Sequence, residues 1–442
     1  MLVKNGTVLK FDKHNTIVKN GAVYIKNGII EEVGPSQQLE HKYEHEEQID
    51  AAGNYIMPGM VCSHFHTYSA FSRGMNIGGD PSKNFLQILQ NLWWRLDKKL
   101  SMEDIYYSGL VSAIEAVKHG TTSIVDHHCS PYACTGSLNE LSRAFKSIGV
   151  RGNYCYEVSE RDGMEIAEEG LKENYDFIKK CRENKNSLIT GSFGVHAAFT
   201  VSDETFKRAV EMQRELGCGF HIHVSEGMAD EDINQYRYRK SVVKRLYDLG
   251  VLGEKTIAVH GVNIDKDDIE ILKNSDTMVV HNPESNMNNA VGLPDVSYML
   301  DRGVLVGFGT DGFTTDMFRE IQTAYVVHKM IKKDPSAMGL DSIEKMAFYN
   351  NGEIINRLFG KPAGAIEKGC FGDVIIVDYK DYTPVSGDNI LGHLVFGMGA
   401  SNVVSTIING KIIMENRKLK NIDEDKIMTK ARSLSEKLWK RI

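Results

Sequence analysis

Residues 58–66 read PGMVCSHFH, a short apolar, β-branched run that breaks off at two histidines, His64 and His66. On a strand, residues i and i+2 share a face, so the two imidazoles point the same way. Alone, such a pair fits a metal-binding edge or two hydrogen-bonded histidines beside a turn. The rest of the chain weighs between them, because the same form recurs. Counting YIMPGMVCSHFH (55–66) as the first run, seven more follow: TTSIVDHH (121–128), VRGNYCYE (150–157), LITGSFGVH (188–196), GCGFHIHVSE (217–226), KTIAVH (255–260), TMVVH (277–281) and VLVGFGTD (304–311). Each ends in a polar or glycine-rich turn, and helical patterns follow. The spacing, mostly about 20 to 40 residues, is that of a strand plus a crossover helix. Eight such units predict a (β/α)8 TIM-like barrel within an α/β fold. The first gap is longer, and SRGMNIGGDPSKNFLQILQNLWWRLDKKLS (72–101) reads as a loop with a helix lying over the barrel mouth.

The two ends of the chain have another texture. VLKFDKHNTIVKNGAVYIKNGIIEEVG (8–34) alternates apolar and polar residues, with Asn-Gly at 20–21 and 27–28, a strong hairpin signal. FGDVIIVDY (371–379) and SNVVSTIINGKIIMENRK (401–418) answer it near the C-terminus. The expected organisation is a β-sandwich domain assembled from residues 1–57 and 363–442, around a barrel spanning 58–362. Residues 423–442 have apolar positions at helical spacing and predict a closing amphipathic helix.

Composition excludes several classes. The chain has 442 residues, 42% of them hydrophobic and 25% charged, with a net charge of −7. No basic block invites nucleic acid. No apolar run approaches the roughly 18 residues that span a bilayer, and the start lacks a signal-peptide pattern, so a cytoplasmic protein without membrane partners is expected. The seven cysteines are scattered without a CxxC pair, which fits reduced thiols. A homodimer is the commonest oligomer and the default expectation.

Chemistry-bearing residues fall at the ends of the runs. His64 and His66 close the first, and Asp126, His127 and His128 the second. His196 closes the fourth; His221 and His223 lie in the fifth, with Glu226 three residues on; His260, His281 and Asp311 close the last three. In a barrel these ends meet on one rim, where active sites of this fold are built. His64, His66, His223 and Asp311 offer three neutral nitrogens and one anionic oxygen, a set suited to one divalent metal ion with a position left for water. Zinc is the first choice, with iron and manganese also suited. Taken alone, Asp311 also fits a helix N-cap.

PGMVCSHFH, FGVHAAFTVSDE, HIHVSE, AVHG, VVHNPESNMN, GFGTDG and KGCFGDVIIVDY together resemble the amidohydrolase superfamily over nearly the whole chain. The branch resembled is that of purine, pyrimidine and triazine deaminases and cyclohydrolases. Within it, NLWWRLDKKLS, SIVDHHCSP, SNMNNAVG and GHLVFGMGASNV are similar to SsnA-like aminohydrolases. The resemblance implies that Glu226 shuttles protons, that His260 hydrogen-bonds the attacking water, and that His196 and His281 touch substrate. It also implies one metal, because LITGSFGVH has no lysine to carry a bridging carboxylate. Asp311 would take the proton of that water, and Glu226 would act as general acid and base.

Weaker candidates surround these. Trp94, in Trp93-Trp94-Arg95, could stack on a planar anionic heterocycle or pack the cap; Arg73 could reach a substrate carboxylate or carbonyl. Asn282, Asn286 and Asn288 could read amide edges. His127 and His128 read as hydrogen-bonded rim histidines rather than a second metal site. The expected function is hydrolysis of non-peptide C–N bonds in a small heterocycle, by deamination of a purine-like ring or, alternatively, by opening a cyclic amide or ureide. A barrel that binds without catalysis is a third reading, which the complete set of ligands and Glu226 disfavours.

Overall fold

The computed structural model describes residues 1–184 and 188–442. Eight parallel strand positions form the barrel: Met60–Phe65, Thr121–His128, Arg151–Tyr156, Ile189–Gly191 continued by Phe193–Ala197, Phe220–Val224, Ile257–His260, Met278–His281 and Val306–Phe308. They match the eight runs in order. The fourth is broken at Ser192: its first piece pairs with the third strand, its second with the fifth. Strands one to four and four to eight thus form two sheets, joined by bridges at Val158–Val195 and Phe65–Asp311. The strands are buried on both faces, so their Val, Ile and Phe side chains need no alternation with polar residues.

Closure between the eighth and first strands depends on two residues. A Cβ at Gly309 would lie 2.7 Å from the His64 nitrogen and 2.8 Å from its Cβ, so only glycine lets these strand ends approach. Asn351 laces them from behind. Its amide oxygen accepts from Ser63 Oγ and the Phe308 N–H, and its Nδ2 donates to the carbonyls of Val61 and Phe308.

The termini build one nine-stranded sheet. Its N-terminal strands (Leu2–Leu9, Ile17–Lys26, Ile29–Pro35, Gln48–Asp50, Tyr55–Pro58) meet the C-terminal ones (Val374–Val377, Val403–Ile408, Lys411–Glu415, Lys418–Leu419) where Tyr55–Pro58 pairs antiparallel with Val374–Val377. The first run is therefore shared: Tyr55–Pro58 belongs to this sheet and Met60–Phe65 to the barrel. Asn27-Gly28 and Asn409-Gly410 are the expected hairpin turns, both residues of each at positive φ. Asn20-Gly21 is not a turn. It lies inside Ile17–Lys26, where Gly21 faces Gly6 across irregular register, so its left-handed Asn20 serves a bulge.

The closing helix, Glu424–Trp439, lies along the barrel helix Met102–His119. Lys430 pairs with Glu103, Lys118 with Glu424, and Trp439 Nε1 donates to the Phe71 carbonyl at 2.7 Å. No described helix is long and apolar enough to cross a membrane.

Candidate active site

The carboxyl ends of the strands gather the sequence-predicted residues at one rim. His64 and His66 end the first strand, His223 the fifth and His260 the sixth; Asp311 follows the eighth. His66 Nε2 lies 3.1 Å from His223 Nε2 and 3.2 Å from Asp311 Oδ1, and His64 Nε2 lies 3.5 Å from that oxygen. Overlapping triads, among them His64–His66–Asp311, His64–His223–His260 and Glu226–His260–Asp311, hold ligand atoms within 4.8 Å of one another.

Hydrogen bonds on the far side of each ring fix the tautomers. His66 Nδ1–H donates to the His127 carbonyl at 2.6 Å, and His223 Nδ1–H to the His196 carbonyl at 2.9 Å. Both therefore turn an Nε2 lone pair inward, toward each other. His64 Nδ1 meets His221 Nε2 at 2.9 Å, and its own Nε2, buried and without a hydrogen-bond partner, also faces inward. Lone pairs brought this close call for a cation between them. Bonds of about 2.0–2.1 Å at tetrahedral angles place nitrogens roughly 3.3 Å apart. Burial keeps His64, held down to about 3, and His223 neutral, as ligands must be, while Asp311 overcomes burial and lifts His66 to about 9, so that a proton occupies the His66–Asp311 contact until a cation displaces it. The residues fit one divalent metal.

Backbone strain aims the groups around this centre. His260, Asp311 and Ser225 all have left-handed backbones, with φ of 73°, 56° and 50°. For non-glycine residues that costs on the order of 1–3 kcal/mol each. Ser225 is held by its N–H to Asp230, and Asn263 grips the carbonyls of Ser225 and Glu226, which turns the Glu226 side chain inward. Glu226 Oε2 lies 3.3 Å from His260 Nε2, and Oε1 accepts from Asn289 Nδ2 at 3.2 Å. His260 Nδ1–H donates to Asn286 Oδ1 at 2.8 Å, leaving its Nε2 free. Ser285 Oγ donates to the other oxygen of Asp311.

The two carboxyls are driven apart. Burial, reinforced by the charge of Asp311, pushes Glu226 well above the usual carboxylate range. Burial acts on Asp311 too, but hydrogen bonds from His64 and His66 and the charge on His66 hold it well below that range. At neutral pH one is a proton donor and the other an acceptor, the arrangement acid–base chemistry requires.

A cavity of about 560 Å3, open mouth included, lies over this centre. Tyr68, Phe85, Leu89, Trp93, Trp94 and Phe313 form its apolar walls, and Glu157, His196, Ser285, Asn289, Glu226 and Asp311 its polar ones. The size and the mix suit a small planar ligand. Residues 85–99 form the expected helical cap, widened by a π turn at Leu89–Trp93.

His196 and Trp94 line the cavity as the sequence suggests, but two other expected contacts do not. Arg73 points outward and forms a bidentate pair with Glu115 at 2.9 and 3.1 Å, because the turn after His66 runs away from the mouth. His281 is buried behind the wall, with Nε2 3.0 Å from His328 Nε2. Arg95 is exposed and donates to the Ile442 carbonyl. Asn286 supports His260, and Asn289 rather than Asn288 faces the ligand space. His127 spends Nδ1 on Glu157 and Nε2 on the His221 carbonyl, and His128 Nε2 meets Ser130 Oγ. Glu157 itself was missed. Its signal was its place at the end of the third run, where other runs carry histidine or aspartate.

A family model described as "Amidohydrolase family" matches residues 55–413. The chain is 32% identical to a 5'-deoxyadenosine deaminase of Methanosarcina mazei, covering 100% of this chain and 99% of the relative. It is 31% identical to a 5-methylthioadenosine/S-adenosylhomocysteine deaminase of Thermoanaerobacter pseudethanolicus, covering 100% of each. Among solved structures, an adenosine deaminase from Xanthomonas campestris with bound zinc superposes with a TM-score of 0.88 at 22% identity, over 99% of this chain and 98% of that one. A guanine deaminase from C. acetobutylicum with bound guanine gives 0.80 at 21% identity, over 93% and 99%. With the barrel, the ligand cluster and a family match across most of its length, the chain belongs to the amidohydrolase family, metal-dependent hydrolases acting on carbon–nitrogen bonds.

Proposed function

We propose that the protein hydrolytically deaminates a purine-like or related nitrogen heterocycle, releasing ammonia. The observation that carries this reading is that Glu226, His260 and Asp311 converge beside the histidine cluster beneath an aromatic-walled cavity. Relatives named as deaminases of adenine nucleosides, at 31–32% identity over the full chain, support it. The cap segment NLWWRLDKKLS, one of the four segments that carry the likeness to SsnA-like aminohydrolases, contributes Trp93 and Trp94 to the walls.

His64, His66, His223 and Asp311 would hold one divalent ion, for which the zinc in the Xanthomonas structure makes zinc the first choice. Such an ion supplies Lewis acidity, lowering the pKa of adjacent water toward neutrality. The chain does the rest. Asp311 accepts a proton from the attacking water. Glu226 gives its proton to the ring nitrogen as the sp² carbon becomes tetrahedral; the proton held by Asp311 then goes to the departing amine, and the hydroxyl proton of the tetrahedral carbon returns to Glu226 as the C=O forms. His260, anchored by Asn286, offers Nε2 to orient the incoming oxygen. Bond making at carbon by water oxygen and bond breaking to the amine leave an oxo-heterocycle and ammonia. His196 and Trp94 flank the ring, and a small molecule and water are the only partners the chemistry needs.

The test is metal analysis coupled to a panel of purines, adenine nucleosides and cyclic ureides. Expected are one metal per chain, ammonia release from an amino-heterocycle, and loss of that activity on chelation with recovery on zinc addition. Ring opening without ammonia would replace deamination by cyclic amide hydrolysis.

A further inference from the structure

The cavity has a third carboxylate that the reaction does not use. Glu157 follows the third barrel strand and lines the cavity together with Trp94 and His196. It is buried, with 4% of its surface exposed. Its Oε2 lies 3.2 Å from His127 Nδ1, and its backbone N–H donates to the His128 carbonyl at 2.8 Å, so its position is fixed. Its Oε1 has His196 Nε2 at 3.9 Å, beyond hydrogen-bond reach. One oxygen of a fixed carboxylate is thus left to accept a hydrogen bond from whatever enters. No lysine or arginine is among the described residues lining this cavity. Arg161, beside the Trp94 ring, bonds Asp97 and Cys129 through Nη2 alone, and its buried Nε and Nη1 have no hydrogen-bond partner.

We propose that Glu157 is the specificity residue: its free oxygen reads a hydrogen-bond donor, an amino or ring N–H group, on the edge of the heterocycle away from the amine that is hydrolysed. This rests on the deamination reading and narrows it. The substrate class is an amino-heterocycle that carries a second N–H donor on that far edge, where Glu157 can accept it. A buried acceptor left unmatched discriminates strongly, since the analogue that lacks the donor leaves it unpaired.

The experiment compares 2,6-diaminopurine with 2-fluoroadenine, which differ at position 2 by a donor amine against a fluorine of similar size that brings no N–H with it, in the metal-loaded enzyme. kcat/KM should favour the diamine at least tenfold. Glu157→Gln keeps the shape; its amide oxygen can still accept from His127, which turns the amide N–H groups toward the ligand. The ratio should then fall at least tenfold, with KM carrying most of the change and metal content unaltered. Glu157→Asp keeps the charge and should keep the sign of the preference, and stands in if the glutamine variant melts early. Dissociation constants for the same pair are measured alongside. If neither ring releases ammonia but the binding preference and its loss persist, the deamination reading falls and Glu157 keeps its role. A ratio unmoved by Glu157→Gln overturns the proposal whichever way ammonia release comes out.

Discussion

Glu226 and Asp311 are both buried carboxyls on one rim, yet they carry opposite protonation because their neighbours differ. Asp311 faces two imidazoles, whereas Glu226 faces an amide, a neutral imidazole nitrogen and the charge of Asp311 itself. Glu226→Gln preserves the contact with Asn289 but has no proton to lend. We expect kcat to fall by roughly 10²–10⁴, the usual worth of a general acid–base group, with metal content and melting temperature little changed. Stopped ammonia assays and metal analysis check this, and full activity in that variant would remove Glu226 from the mechanism. The residues legible in the sequence are those whose chemistry is restricted: few side chains ligate metal, and period two plus strand ends place them. Arg73 misled because separation along the chain carries no direction; its helix-borne partner, Glu115, pulls it outward. Asn289, Ser285 and Glu157 were not singled out because the loops beyond each strand, not the strands, decide which of several polar residues turns inward.

Two elements behind the rim show how the scaffold holds the cavity. The helix Met317–Lys332 brings His328 against His281, and burial lowers His328 from 6.5 to about 4. With the folded value depressed, the unfolded chain binds the extra proton between these limits. Stability from this group is therefore complete above about 6.5 and is lost as pH falls toward about 4. Urea midpoints between pH 7 and 4.5 should fall more steeply in the wild type than in His328→Gln, the difference in slope approaching about 1.4 kcal/mol per pH unit. Equal slopes would mean that His328 is already charged in the folded protein. The cap is secured differently. Arg161, from the loop after the third strand, pairs with buried Asp97 of the cap and stands 5.1 Å from the Trp94 ring. Arg161→Met leaves Asp97 buried without its cation, a change worth about 3–5 kcal/mol. The expected outcome is a lower melting temperature and a KM raised tenfold or more with kcat within a few-fold, since the catalytic groups sit on the barrel and only the wall is loosened. The cap's existence was legible from the long first gap; its clamp was not, because Asp97 and Arg161 are joined only by the closed fold.

At the scale of the molecule, apolar packing and a buried ion pair join the barrel to the terminal sheet. A single apolar cluster runs from barrel positions such as Ile124 and Phe308 to sheet positions such as Ile375, Val403 and Ile408. A buried ion pair crosses the same seam. Arg151, at the start of the third barrel strand, gives Nε and Nη2 to Asp373 at 2.9 and 3.1 Å, with its guanidinium 3.5 Å from the centre of the Phe371 ring. Asp373 also accepts the Asn409 N–H of the sheet's hairpin turn at 2.7 Å, so one carboxylate ties a barrel strand to a turn. Hairpin texture at both chain ends made the shared sheet legible, but nothing local in RGNYCY or FGDVIIV announces this pair. Removing one partner strands the other without solvent, so Asp373→Asn should cost about 3–5 kcal/mol, and the double change with Arg151→Met should recover part of that loss. Because the shared cluster and this ion pair both cross the seam, unfolding in urea should remain a single transition in all three proteins, with intrinsic fluorescence and far-UV dichroism coincident. Two separated transitions in Asp373→Asn would show instead that the sheet and the barrel fold as independent units, held together mainly by this ion pair.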